Sequence, residues 1–210
     1  EQIDLIKKTV CPQGIPDDDF MLFMEQARRS GLDPLLKQMF CVKRKQNVGN
    51  RDNPRYVEKY EAQPAEAGML SRAEAFPDFR GVTAAAVYAK DAIEIDAGAG
   101  VVTHKFSPIG ERGTIAGAWA RLERAGRTPI VCYLKFAAYK QNTPLWDKIP
   151  DTMIVKCARV AVLRVAYPAQ FGGLYIKEEM PASEDTAIVV APVVPQAPFD
   201  YGPRAAEYAK

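Results

Sequence analysis

Histidine is almost missing from this chain: one residue, His104, among 210. That excludes His-rich metal centres and most Ser-His-Asp or Cys-His schemes. The four cysteines (Cys11, Cys41, Cys132, Cys157) lie far apart without a C-x-x-C pair. A zinc site is therefore not expected, and they read as reduced, buried thiols. There is no Gly-rich loop ending in Gly-Lys-Ser/Thr, which argues against a P-loop ATPase. No apolar run approaches the ~18 residues of a spanning helix. Glu1 to Lys8 lacks the layout of a secretory signal and does not begin with Met, so the chain reads as a fragment or an ordered part. A net charge of +2 offers no evident polyanion partner. What is present is 48% hydrophobic and 26% charged residues, enough for one soluble domain with a sizeable core.

Residues 17–30 predict a helix. Asp17, Asp18 and Asp19 suit its positive end, Arg28 and Arg29 its negative end, and Gly31 can take the left-handed position beyond it. Phe20, Phe23, Met24 and Ala27 make an apolar stripe at helical spacing. Strands near residues 38–43 and 56–61, separated by turn chemistry at 46–55, predict a β-hairpin with a cationic tip. A helix over 64–75 follows. Strand patterns at 82–88, 92–95, 101–106, 114–122 and 128–135 suggest an antiparallel meander, with Asp96-Ala-Gly-Ala-Gly and Arg124-Ala-Gly-Arg as turns. Pro150 opens a helix running to Tyr167. The expected class is α+β: an antiparallel sheet or meander with a basic β-hairpin, N-terminal helices and a long C-terminal core helix. Residues 181–210 hold 5 of the 16 prolines, so they read as an extended tail after a core domain over 1–180.

Charge is segregated. Between Lys37 and Lys59 stand seven bases (Lys37, Lys43, Arg44, Lys45, Arg51, Arg55, Lys59) against two acids, Asp52 and Glu58. From 152 to 176 there are three bases (Lys156, Arg159, Arg164) and no acid. A phosphate-tracking surface needs such local excess, whatever the total. In the 150–166 helix, Ile154, Val155, Ala158, Ala161, Val162 and Val165 are expected to face the core. Lys156 and Arg159 neighbour each other on the remaining side, while Arg164 lies on another arc. Two readings stay open: a phosphate clamp, or internal pairing with acids such as Asp151 or Glu178. Aromatics interleave with the bases (Tyr56, Tyr60, Tyr133, Tyr139, Trp146, Tyr167, Tyr175), and Trp146, in a polar run, stands out as a stacking candidate.

The segment from Trp146-Asp-Lys-Ile-Pro-Asp-Thr-Met to Arg164-Val-Ala-Tyr-Pro, with Phe171-Gly-Gly-Leu-Tyr and Glu178-Glu-Met, resembles the C-terminal core motif of the RecT/Bet family of phage single-strand annealing recombinases. The run from Asp17-Asp-Asp-Phe through Arg28-Arg-Ser-Gly-Leu-Asp-Pro-Leu to Val42-Lys-Arg is similar to the family's other signature. The resemblance covers roughly residues 3–180. It implies a protein without bond-breaking chemistry, ATP or other cofactor, acting in the cytoplasm of a bacterial host. Such a protein coats single-stranded DNA, anneals it to its complement, assembles into rings or helical filaments, and works beside a 5′→3′ exonuclease. The family's DNA-binding lysine and arginine fall on Lys156 and on Arg159 or Arg164. With the basic hairpin, the candidate DNA-binding set is Lys43, Arg44, Lys45, Arg51, Arg72, Trp146, Lys148, Lys156, Arg159 and Arg164.

Two other readings compete. A passive coat on single strands needs the same cationic groove. A metal-dependent nuclease would draw on Asp91, Glu94 and Asp96, although Asp96 opens a turn sequence.

Overall fold

The structure, a computed structural model, describes residues 2–50 and 52–180. The tail assigned to 181–210 and the candidate Arg51 lie outside the described residues. Helix α1 (Gln2–Thr9) leads to α2 (Asp17–Ser30), which buries Phe20, Phe23 and Ala27. Gly31 ends α2 at φ 70°, its N–H donating to the Ala27 carbonyl as the sequence predicted. A Cβ at Gly31 would stand 2.5 Å from the Arg72 Nε, so glycine also makes room for that side chain.

Strands β1 (Met39–Asn47) and β2 (Tyr56–Pro64) pair antiparallel from Met39↔Pro64 out to Asn47↔Tyr56. Met39 and Cys41 root the hairpin in the core, whereas its outer half is largely exposed. At the turn, the Asn47 side-chain oxygen accepts from the Gly49 and Arg55 N–H groups. Helix α3 (Glu66–Glu74) follows and buries Met69 and Ala73. Its Gly68 faces the hairpin's root so closely that a Cβ would fall 2.7 Å from the Gln38 Cα.

The antiparallel strands then depart from a plain meander. β3 (Phe79–Tyr88), β6 (Ile115–Arg124) and β7 (Ile130–Lys135) form one sheet in the order β3-β6-β7. β4 (Ala92–Asp96) and β5 (Val101–Lys105) pair only with each other. The side chains explain the break. Asp91 turns back to accept from the Tyr88 N–H at 2.8 Å, and the register shifts between Val87 and Tyr88. The ribbon is then tied to β6 by side chains: Trp119 Nε1 donates to His104 Nδ1 at 3.0 Å, and Arg121 Nε to the Gly100 carbonyl at 2.6 Å.

The short helices α4 (Phe136–Tyr139) and α5 (Pro144–Lys148) precede the long α6 (Pro150–Ala166). α7 (Pro168–Phe171) and a 3-10 turn, η1 (Lys177–Glu179), complete the fold. α6 lies mainly on β6, whose Ala118, Ala120 and Leu122 are fully buried. The small alanines let the helix sit close to the sheet. The expected core face of α6 is corrected in part: Val165 is 57% exposed, while Met153, Cys157, Val160 and Leu163 are buried. The helix is covered on two sides, by the sheet and by α3, α7 and η1, so a one-faced pattern underestimates its burial.

Candidate nucleic-acid interface

The cations of the hairpin fall on both of its faces, because side chains alternate along a strand. Lys43 and Lys45 share one face with their cross-strand neighbours Tyr60 and Glu58. Arg44 points the other way, toward Lys59 and Glu61. Lys43 Nζ stands 2.7 Å from a Glu58 oxygen and 5.9 Å from the Tyr60 ring centre. The Glu58 carboxylate pushes the Lys43 ammonium pKa upward. Arg44 Nε lies 3.3 Å from Glu61, though without the alignment of a hydrogen bond, and Lys59 meets the same carboxylate at 3.4 Å. Lys45 is exposed.

On α6 each cation has a carboxylate partner in the DNA-free chain. Lys156 Nζ is 3.5 Å from Glu178 of η1, and Arg159 Nη1 donates to Glu66 of α3 at 2.9 Å. Asp151, the other acid considered, accepts instead from the Thr152 N–H. Arg164 differs in kind. Both its terminal nitrogens bond Glu179, at 2.6 and 2.7 Å; one also reaches the Leu174 carbonyl, and the guanidinium lies 4.7 Å from the Tyr175 ring centre. Its side chain is 15% exposed and that of Glu179 only 4%. Burial works against the Arg164 charge, but the Glu179 carboxylate more than offsets this, leaving the guanidinium pKa raised.

Three other candidates sit away from open solvent or apart from this group. Trp146 is 2% exposed, tilted against Phe136 at 5.8 Å, and its Nε1 has no hydrogen-bond partner among the described residues. In this conformation no base can reach its face. The polar run around it hid a short helix, α5, whose one large apolar group turns inward. Arg72 lies under Gly31 with its guanidinium 4.7 Å from the Phe76 ring centre. Lys148, at the end of α5, is exposed.

Two clefts flank Tyr175, which is 49% exposed and lines both. One, of about 350 Å³, runs between α2, β2 and residues 173–180, past Lys59 and Glu61. The other, of about 420 Å³, is bordered by Tyr139, Lys140, Gln141 and Glu179. In the sequence Tyr175 was one of seven aromatics interleaved with the bases, with nothing to single it out. Glu58 was visible inside the basic window, but Glu61, Glu66 and Glu179 were not read as partners, because the window ends at Lys59 and the other two lie on elements outside α6.

The carboxylates considered for a metal diverge. Asp91 is committed to Arg112 at 2.9 and 2.5 Å and to His104 at 3.0 Å, while Asp96 accepts from the Ala99 N–H. Among the described residues no cluster of three His, Cys, Asp or Glu side chains could hold a metal ion. All four cysteines are free; burial pushes the Cys41 thiol up to about 12 and raises Cys157 further. No described helix is long and apolar enough to cross a membrane.

Compared with known families, residues 1–191 match the family model described as the RecT family. No curated protein matches the chain.

Proposed function

Because the chain belongs to the RecT family, a family of phage-type single-strand annealing proteins, we propose that it binds single-stranded DNA along α6 and anneals it to its complement without ATP. The observation that carries the reading is α6 itself. Of the cations on this otherwise apolar helix, Lys156 and Arg159 remain about one-third exposed and lie one turn apart. Cations so placed can take successive backbone phosphates, releasing counterions as they do. Lys43 and Lys45 on one hairpin face, and Lys148 just before α6, are further cations offered to the strand. Arg51 belongs with the hairpin group by sequence. Arg44, on the hairpin's other face, and Arg72, Arg164 and Trp146, each packed against groups of the protein itself, serve the fold. Arg159, rather than Arg164, is the arginine that faces phosphate.

Annealing requires two polyanions to approach with their pairing edges free. Holding one strand by its phosphates neutralises it and leaves the bases outward. No bond is made or broken, so neither a nucleophile nor a metal is called for. The protein acts as a homo-oligomer, a ring or helical filament on single-stranded and then duplex DNA, inside a bacterial host and beside a 5′→3′ exonuclease. The 1–180 core carries the binding surface.

Titration of a labelled single-stranded oligonucleotide over a salt series tests the binding. The expected result is tight binding that weakens steeply with salt, through a slope set by several phosphate contacts. Salt-independent binding, or none, overturns it.

A further inference from the structure

The ion pairs of α6 divide into two kinds. Arg164 and Glu179 are nearly sealed, doubly bonded and joined to backbone: the Glu179 carboxylate also accepts from the Ile176 N–H at 3.2 Å. Lys156–Glu178 and Arg159–Glu66 are single contacts between partly exposed groups, with exposures of 33%/23% and 37%/15%. Such pairs are weak in water and exchange readily for another anion.

We propose that Glu66 and Glu178 are internal stand-ins for phosphate: they occupy Arg159 and Lys156 in the DNA-free protein, and an incoming strand must displace both carboxylates. The two acids thereby set how tightly α6 holds a single strand. The inference rests on the reading above that α6 takes the DNA backbone.

The surroundings of each acid favour displacement of the side chain without loss of fold. Glu66 lies in the first turn of α3, where the helix dipole supports a carboxylate even after Arg159 has left. Glu178 is carried by a turn that is fastened independently. Gln141 Nε2 donates to the Glu178 backbone carbonyl at 2.7 Å, and the Arg164–Glu179 pair anchors the next residue. The Glu178 side chain can therefore swing off Lys156 while η1 stays in place. The two acids come from separate elements, so each cation is held by a different part of the chain. A competing carboxylate lowers affinity while leaving the cations positioned. An annealing protein gains from that, because a strand held too firmly cannot adjust its register against a complement.

The test uses Glu66→Gln and Glu178→Gln in the full chain, with anisotropy of a fluorescein-labelled oligothymidylate as the readout and melting curves alongside. Glu94→Gln serves as a control, since Glu94 is an exposed acid on β4. It makes the same change in net charge away from α6. Each α6-facing variant should bind roughly two- to fivefold more tightly than the parent, the range of an exposed ion pair, with the control unchanged. The gain from Glu178→Gln should vanish in a Lys156→Ala background, as coupled partners require. Unchanged or weaker binding by both glutamine variants overturns the proposal. So does an equal gain in Glu94→Gln, which would show only a charge effect. If the parent protein binds no oligothymidylate, or if Lys156→Ala and Arg159→Ala bind as the parent does, the DNA-binding reading fails and the proposal falls with it.

Discussion

Replacing Arg164 by alanine separates a structural arginine from a DNA-binding one. The guanidinium makes two bonds to Glu179 and one to the Leu174 carbonyl, and it covers Tyr175. Its loss leaves a carboxylate that is 4% exposed without its counter-charge. Breaking a buried pair from one side costs about 3–5 kcal/mol. Arg164 keeps some contact with water, so the lower end, about 3 kcal/mol, is expected. For a domain of this size each kcal/mol moves the melting temperature by about 2–4 °C, so Tm should fall by roughly 6–12 °C. Removing Glu179 as well should return much of the loss, because the double variant no longer buries a lone charge. Thermal and urea melts followed by circular dichroism read this directly. An Arg164→Ala protein that melts like the parent but loses oligonucleotide affinity would instead place Arg164 in the phosphate-binding set.

Lys156→Ala and Arg159→Ala should behave oppositely, with Tm close to the parent and each lowering the slope of log affinity against log salt by about 0.7 on single strands. An unchanged slope in the salt titration contradicts that. Trp146→Ala should cost about 3–5 kcal/mol in a urea melt as a core cavity, whereas Trp146→Phe, which keeps the contact with Phe136, should retain both fold and DNA binding. Loss of binding in a stably folded Trp146→Phe protein would show that the indole meets a base. For Asp91, the Arg112 guanidinium first, then the Tyr88 N–H and His104, hold its carboxyl well below the usual carboxylate range. A depressed folded value gives stability that is fully present above the unfolded pKa of about 4 and is lost as pH falls through the folded one. Asp91→Asn should therefore lose about 2–3 kcal/mol at pH 7, tempered because Arg112 is 21% exposed. The gap to the parent should begin to narrow below about pH 4 and shrink steadily as the pH falls further, and a pH-independent gap would rule the linkage out.

Local signals were well written in the sequence. The acid-to-base polarity of α2 and its closing Gly31 fixed both ends of that helix, and turn residues marked the hairpin and the meeting of β6 with β7. Long-range signals were not. Nothing local tells that β3 skips two strands to pair with β6, since that depends on Asp91, His104, Arg112 and Trp119 meeting across the ribbon. The same holds at the interface. The basic residues were visible as a cluster and Glu178 as a candidate partner, but Glu66 on α3 lies far from α6 in the chain and Glu179 gave no local signal. Trp146 was misplaced for a related reason: polar neighbours suggest a surface loop, while the direction of one side chain on α5 decides its burial.

Annealing differs from coating by a rate. Two complementary oligonucleotides carrying a fluorescence donor and acceptor, mixed with the protein and no ATP, measure it by the rate at which the signal of the joined pair appears. Joining should be faster than the spontaneous reaction, with the acceleration lost in Lys156→Ala/Arg159→Ala. Binding of both strands with joining no faster than in buffer would contradict it and leave a passive coat.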